Sequence, residues 1–247
     1  MLARSVVSVI GVALILLPST SSADFVGIFA GGGVWNSDFS GDVVTDVDVE
    51  DELGISSDSA NYLYVAFEHP VPLIPNIRIA RTSVQDSGMG TISADFVFEG
   101  TTFPVNENVT ADLDLTYTDF TLYYEIWDTG FDFDLGLTAR KFSGEMQINQ
   151  VKEGIDEYLP MVYVAGRVGL PFSGLFLGAD VNAISYSGST LADYSVKIGW
   201  ETSSFIFPEF GVEAGYRKFS LDVDENDAGV AVDVGVGGVF VNLVAHF

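Results

Sequence analysis

The chain has no cysteine, which excludes disulfides, thiolate nucleophiles and thiolate-bound metals. Positive charge is scarce: 10 Lys and Arg stand against 35 Asp and Glu, for a net charge of −25. Nucleic acid is thereby excluded as a partner, because its phosphates need clustered Lys and Arg. Histidine is nearly missing, with only His69 and His246. No apolar residues recur at helical spacing, and after residue 17 no apolar run is long enough for a spanning helix. HExxH, GxSxG and phosphate-cradling glycine loops are also lacking. The chain is nevertheless 48% hydrophobic and 13% aromatic, too apolar to stay disordered.

The N-terminus accounts for part of that bias. Residues 1–23 read as a secretory signal peptide: Arg4 supplies the basic start, Ser5 to Leu17 the apolar stretch, and Pro18 breaks it. Ser21-Ser22-Ala23 gives small residues for cleavage after Ala23, so the mature domain is expected over 24–247.

The mature chain alternates. In FDFDLGLTAR (131–140), Phe131, Phe133, Leu135, Leu137 and Ala139 share one parity, and Asp132, Asp134, Thr138 and Arg140 the other. Successive strand residues point to opposite faces, so one face is apolar and the other charged. The pattern recurs at 26–35, 62–68, 120–127, 161–170, 175–183, 194–201, 210–217 and 239–247. Between these lie two kinds of connection. Tight, Pro- or Gly-bearing turns occupy 69–76, 128–130, 171–174 and 204–208. Longer acidic segments occupy 36–59, 83–118, 145–158 and 221–235, with a short tip at Ser187-Gly188-Ser189. The two kinds alternate along the chain, which predicts an all-β, antiparallel, up-and-down transmembrane β-barrel of ten strands, with eight as the alternative. Short turns then face the periplasm and long acidic loops the exterior. Within 83–118, the alternation of 92–100 and 109–117 predicts a hairpin extending strands three and four outward.

A soluble barrel alternates too, with the opposite solvents. Membrane residence is favoured by the terminal Phe247 and by aromatics near the tight turns: Phe67, Trp127, Phe131, Phe133, Phe172, Phe205, Phe207 and Phe210. Closed barrels also satisfy every backbone polar group in hydrocarbon. The expected address is the bacterial outer membrane, as a monomer among its lipids and lipopolysaccharide, with Phe247 read by the barrel assembly machinery.

The polar parity carries Glu68, Glu125, Asp132, Asp134, Asp180, Glu201 and Glu213. It also carries Arg78, Arg140, Arg167, Lys197 and Arg217. Enclosed charges must pair, so these predict an ion-pair network plugging the lumen. Lys141 and Lys218 fall on the lipid parity near the loop end, where they snorkel to lipopolysaccharide phosphates or turn inward at a bulge; Arg81 also conflicts with its strand's phase. DVDVEDELG (46–54) lacks the Gly spacing and final Glu of an EF-hand, so no metal or cofactor is expected. Both histidines sit at the tight-turn end, away from the loops, so no Ser–His or Asp–His site is expected at the outer rim and no enzyme is predicted. A narrow passive channel for ions or small solutes is the first alternative to a structural or surface-interaction role, and an outer-membrane enzyme built on a carboxylate pair is the more remote one.

NYLYVAFEHPVPLIPNIRI (61–79), FTLYYEIWD (120–128), DLGLTARKFSG (134–144), GLPFSGLFLGADVNAISYSG (169–188) and EAGYRKFSLDV (213–223) resemble an uncharacterised family of Gram-negative outer-membrane β-barrel proteins. The resemblance implies fold and location and assigns no activity or binding residue.

Overall fold

Strand formation follows the two-residue period, and turn residues set where each strand stops. In the computed structural model, which describes residues 26–43, 47–171, 173–202, 208–224 and 232–247, the strands come in this order. They are β1 (Gly27–Val43), β2 (Val47–Asp48), β3 (Ser57–Glu68), β4 (Asn76–Ser83), β5 (Gln85–Thr91) and β6 (Phe96–Phe98). Next come β7 (Thr101–Phe103), β8 (Asn108–Asp114), β9 (Tyr117–Asp128), β10 (Asp132–Phe142), β11 (Gly144–Ile148) and β12 (Val151–Ile155). Last are β13 (Tyr158–Gly169), β14 (Leu175–Tyr186), β15 (Ser189–Glu201), β16 (Glu209–Val223) and β17 (Val232–His246).

Eleven of these form one antiparallel sheet: ten run in the order β1-β3-β4-β9-β10-β13-β14-β15-β16-β17, β17 pairs back on β1 to close the barrel, and the two-residue β2 adds to the loop end of β1. Closure leaves no open edge. At the seam, Ile28 and Phe247 exchange both backbone hydrogen bonds at 3.0 and 2.9 Å. Followed once around the barrel from Ile28, through Phe67, Leu122 and Ala183, the cross-strand partners return to β1 at Ser40, twelve residues further on. Ten strands with that stagger tilt about 40° from the barrel axis. At Gly130 and Gly174, in tight turns, φ is +77° and +69°, values that favour glycine. The 204–208 turn and the signal peptide fall almost wholly outside the described residues, as do Phe172, Phe205 and Phe207.

The apolar parity faces outward. Leu137 is 67% exposed, Val196 53% and Leu243 70%, all on the outside of a closed sheet. Trp127 breaks strict alternation yet also faces out, because the β9–β10 register shifts at Phe133/Asp134. Phe133 pairs with Trp127 and Asp134 with Glu125, which leaves Ile126 as the extra residue of a bulge that flips the parity.

The loop end carries more structure than the sequence suggests. Segment 145–158 is largely the β11–β12 hairpin rather than a loop. β8 lies between β11 and β5, and β5 is a polar, glycine-bearing stretch that lies outside the predicted hairpin; 92–100 contributes only β6, paired with β7. The resulting sheet runs β12-β11-β8-β5. Its Gly88 and Gly90 let the 52–54 backbone lie close: a Cβ on Gly90 would stand 2.0 Å from the Glu52 carbonyl oxygen. Val49, Leu53, Ile55, Ile92, Phe96, Phe103 and Ile148 are buried in this cap, in one apolar cluster that continues down to Trp35, Phe142, Leu191 and Phe219 in the upper barrel.

Candidate functional site in the barrel interior

Inward-facing side chains form three levels below the cap. The uppermost is ionic and buried. Arg140 is fully buried on β10, and its Nε and Nη2 donate to both oxygens of the cross-strand Asp119 at 2.7 Å. The same Nη2 reaches Asp193 on β15 at 2.7 Å, tying two strands that do not neighbour each other. Asp193 also accepts from Arg217 Nε and Nη2 at 2.8 and 2.7 Å and from the Tyr117 hydroxyl at 3.0 Å. Rings complete the enclosure: the Arg140 guanidinium lies 3.9 Å from the Tyr117 centroid, and that of Arg217 5.0 Å from Trp35. Two guanidiniums and two carboxylates balance within this level. Charge-assisted, two-pronged bonds are the strongest available to side chains, and cation–π contact adds to them.

The middle level mixes neutral bonds with a second ionic group. Thr121 and Thr138 hydroxyls meet at 2.8 Å, and Thr138 donates to Asn182 at 2.6 Å. Lys197 lies 3.1 Å from Glu213 and 3.8 Å from Asp180. Arg78 departs from the expected network. Its guanidinium donates to the hydroxyls of Tyr62 and Tyr163 and lies 4.7 Å from the Tyr64 centroid, and among the described residues it has no carboxylate salt bridge. Phenol oxygens and a ring face replace the acid there.

The lowest level opens at the turn end as a vestibule of about 290 Å³. Arg167 pairs with Glu201 here and stacks 3.8 Å from the Phe176 centroid. Glu68 accepts from the Tyr123 hydroxyl at 2.6 Å. Asp132 stands opposite Asp128, and Asp134 opposite Glu125, so like charges face each other. Nine carboxylates line the vestibule against Arg78, Arg167 and Lys197, which makes it acidic and wet. His246 stacks on Phe29 at 4.0 Å, 3.8 Å from Glu209, and His69 lies in the turn after β3; both histidines are therefore at this end.

The twelve inward residues singled out from sequence thus separate into levels. Arg140 and Arg217 hold the upper one. Arg78, Asp180, Lys197 and Glu213 hold the middle and also form the inner wall of the vestibule. Glu68, Glu125, Asp132, Asp134, Arg167 and Glu201 line the vestibule. The upper level's two acids, Asp119 and Asp193, were not among them, although each shares the parity of a counted neighbour, Thr121 and Ser195. Lys141 and Lys218 both face outward, with no bulge turning either inward. Lys141 makes an exposed pair with Asp156 at 3.5 Å. Arg81 is outward and exposed too, with Nη1 3.4 Å from the Thr118 hydroxyl. Among the described residues no three His, Asp or Glu side chains converge as a metal site.

No family model matches the chain, and no curated protein does. Among solved structures it is similar to the outer membrane protease OmpT from Escherichia coli, at 11% identity over 92% of this chain and 98% of that one, with a TM-score of 0.48. It is also similar to a Pseudomonas aeruginosa FadL homologue, at 10% identity over 91% of this chain and 90% of that one, with a TM-score of 0.37.

Proposed function

We propose that the chain is a monomeric integral protein of the bacterial outer membrane with a closed lumen and a structural or surface-interaction role. The carrying observation is the pairing of an apolar exterior with a filled interior: Leu137 and Leu243 face out while Arg140, Asp119 and Asp193 are buried. Water on both sides would leave the first group without a solvent, whereas acyl chains outside satisfy both. Ten residues at ~3.3 Å rise, tilted about 40°, climb about 25 Å, the height of an outer-membrane barrel's apolar band. In this reading the turns face the periplasm, the capped end faces outside, and residues 1–23 direct export. Lys141 and Lys218 reach lipid phosphates at the outer rim. Phe247, at the closing seam, is the mark that the assembly machinery reads. Acid-rich tips keep the exposed cap soluble and repel other anionic surfaces. No catalysis is assigned.

A second reading, a narrow channel, is favoured by the vestibule of about 290 Å³. Against it, the upper ionic level and the apolar cluster of the cap lie between that vestibule and the loop end. Planar-bilayer recording separates the two. The closed reading expects no discrete current steps; steady, salt-dependent openings would establish the channel.

A further inference from the structure

Three of the chain's few bases stand on the barrel's outer wall, each where an outward apolar run ends. On β4 the outward series is Ile77, Ile79, Arg81; on β10 it is Leu135, Leu137, Ala139, Lys141; on β16 it is Val212, Ala214, Tyr216, Lys218. Two of the three are close together. Register sets Arg81 beside Thr118 and Thr118 beside Lys141, in one row across β4, β9 and β10. Their Cα atoms are therefore about two strand spacings, roughly 10 Å, apart, within joint reach of one phosphate. Arg81 makes no ion pair among the described residues, and Lys141 has only an exposed one. An exposed pair is worth little and is readily exchanged.

A second feature adjoins the first. Beside Arg81 the outer wall is indented, because Ala30 on β1 carries only a methyl group between Val65 on one side and Ala245 on the other, with Leu63, Ile79 and Leu243 along the rim. Arg81 lines this apolar groove. A cationic pair joined to an apolar groove on a lipid-facing wall matches a molecule with a phosphate head and an acyl tail.

We propose that this face holds one lipid A molecule of lipopolysaccharide. Its phosphate lies on Arg81, Thr118 and Lys141, and one acyl chain lies over Ala30, between Val65 and Ala245. The inference rests on the outer-membrane reading and adds a defined site to it. A guanidinium offers paired donors to phosphate oxygens and the ammonium a second charge, so the head supplies affinity and the groove supplies orientation.

Native mass spectrometry of the mature protein, folded in detergent and offered lipid A, tests it. The wild type should retain one lipid A. The double substitution R81Q/K141Q should weaken retention at least tenfold, and A30F, which fills the groove, should weaken it several-fold. K152Q removes a cap lysine as a control and should change nothing. Each variant must keep its heat-modifiable gel mobility, which reports a folded barrel. Wild-type retention by R81Q/K141Q or by A30F overturns the site. Equal retention of dephosphorylated lipid A, or of phosphatidylglycerol, overturns lipid A as the occupant. Insertion into phosphatidylcholine vesicles without lipid A is scored separately; failure there strikes the membrane reading itself.

Discussion

The two ends of the lumen use the same residue types in opposite surroundings. Near the cap, Arg140 and Asp193 have side chains 0% and 3% exposed. At the turn end, Arg167 and Glu201 are 37% and 26% exposed. The upper ions have exchanged water for one another, so losing one strands the rest. The lower ions keep water as a substitute partner. An ion pair's structural weight therefore depends less on its geometry than on what replaces a missing partner.

Breaking the upper level should give the largest effect. Arg140→Met leaves Asp119 without its bidentate partner and Asp193 with one guanidinium, and a broken buried pair costs about 3–5 kcal/mol. Urea unfolding in lipid vesicles, followed by gel mobility, measures it. A loss under about 1 kcal/mol would mean that water reaches this level and that the two ends are alike. Ile148→Ala, in the cap core, should cost about 2–5 kcal/mol through its cavity. That loss should show as faster protease cleavage of the cap while the barrel keeps its mobility; joint unfolding would show that cap and barrel are one cooperative unit. Arg217→Met removes two bonds to Asp193 but leaves Arg140 and Tyr117 on it, for about 1.5–3 kcal/mol. Arg167→Gln in the vestibule should cost no more than about 1 kcal/mol. A larger loss there would erase the contrast from the other side.

Much of this was readable from alternation. The ten barrel strands and the turns at 69–76 and 128–130 follow from a two-residue period, which the bulge at Ile126 interrupts; the 204–208 turn lies almost wholly outside the described residues. Asp119 and Asp193 escaped because each lies one residue before the counted stretches 120–127 and 194–201, at a point where acids begin to look like loop. Extending the parity by one position would have found both. The β9 bulge was hidden because one extra residue leaves no mark in composition. The cap was harder. β5 reads QDSGMGT, without an apolar period, and owes its strand to β8 and to the backbone of 52–54. Its glycines look like loop residues until the close approach is seen. Likewise β11 pairs with β8, more than thirty residues earlier in the chain, and no local pattern specifies that partner. Arg78 was expected beside an acid because charge counting overlooks tyrosine as a partner.

Under the proposed function, the apolar parity meets acyl chains while the polar parity is enclosed. The absence of native cysteine allows a direct measurement: single cysteines at residues 134–139, each carrying a nitroxide, in folded protein in lipid vesicles. Labels at 135, 137 and 139 should collide with lipid-dissolved oxygen and be shielded from aqueous nickel complexes, with the opposite or no access at 134, 136 and 138. The reverse phase, with 134, 136 and 138 in lipid, or uniform access to nickel at all six positions, would contradict it.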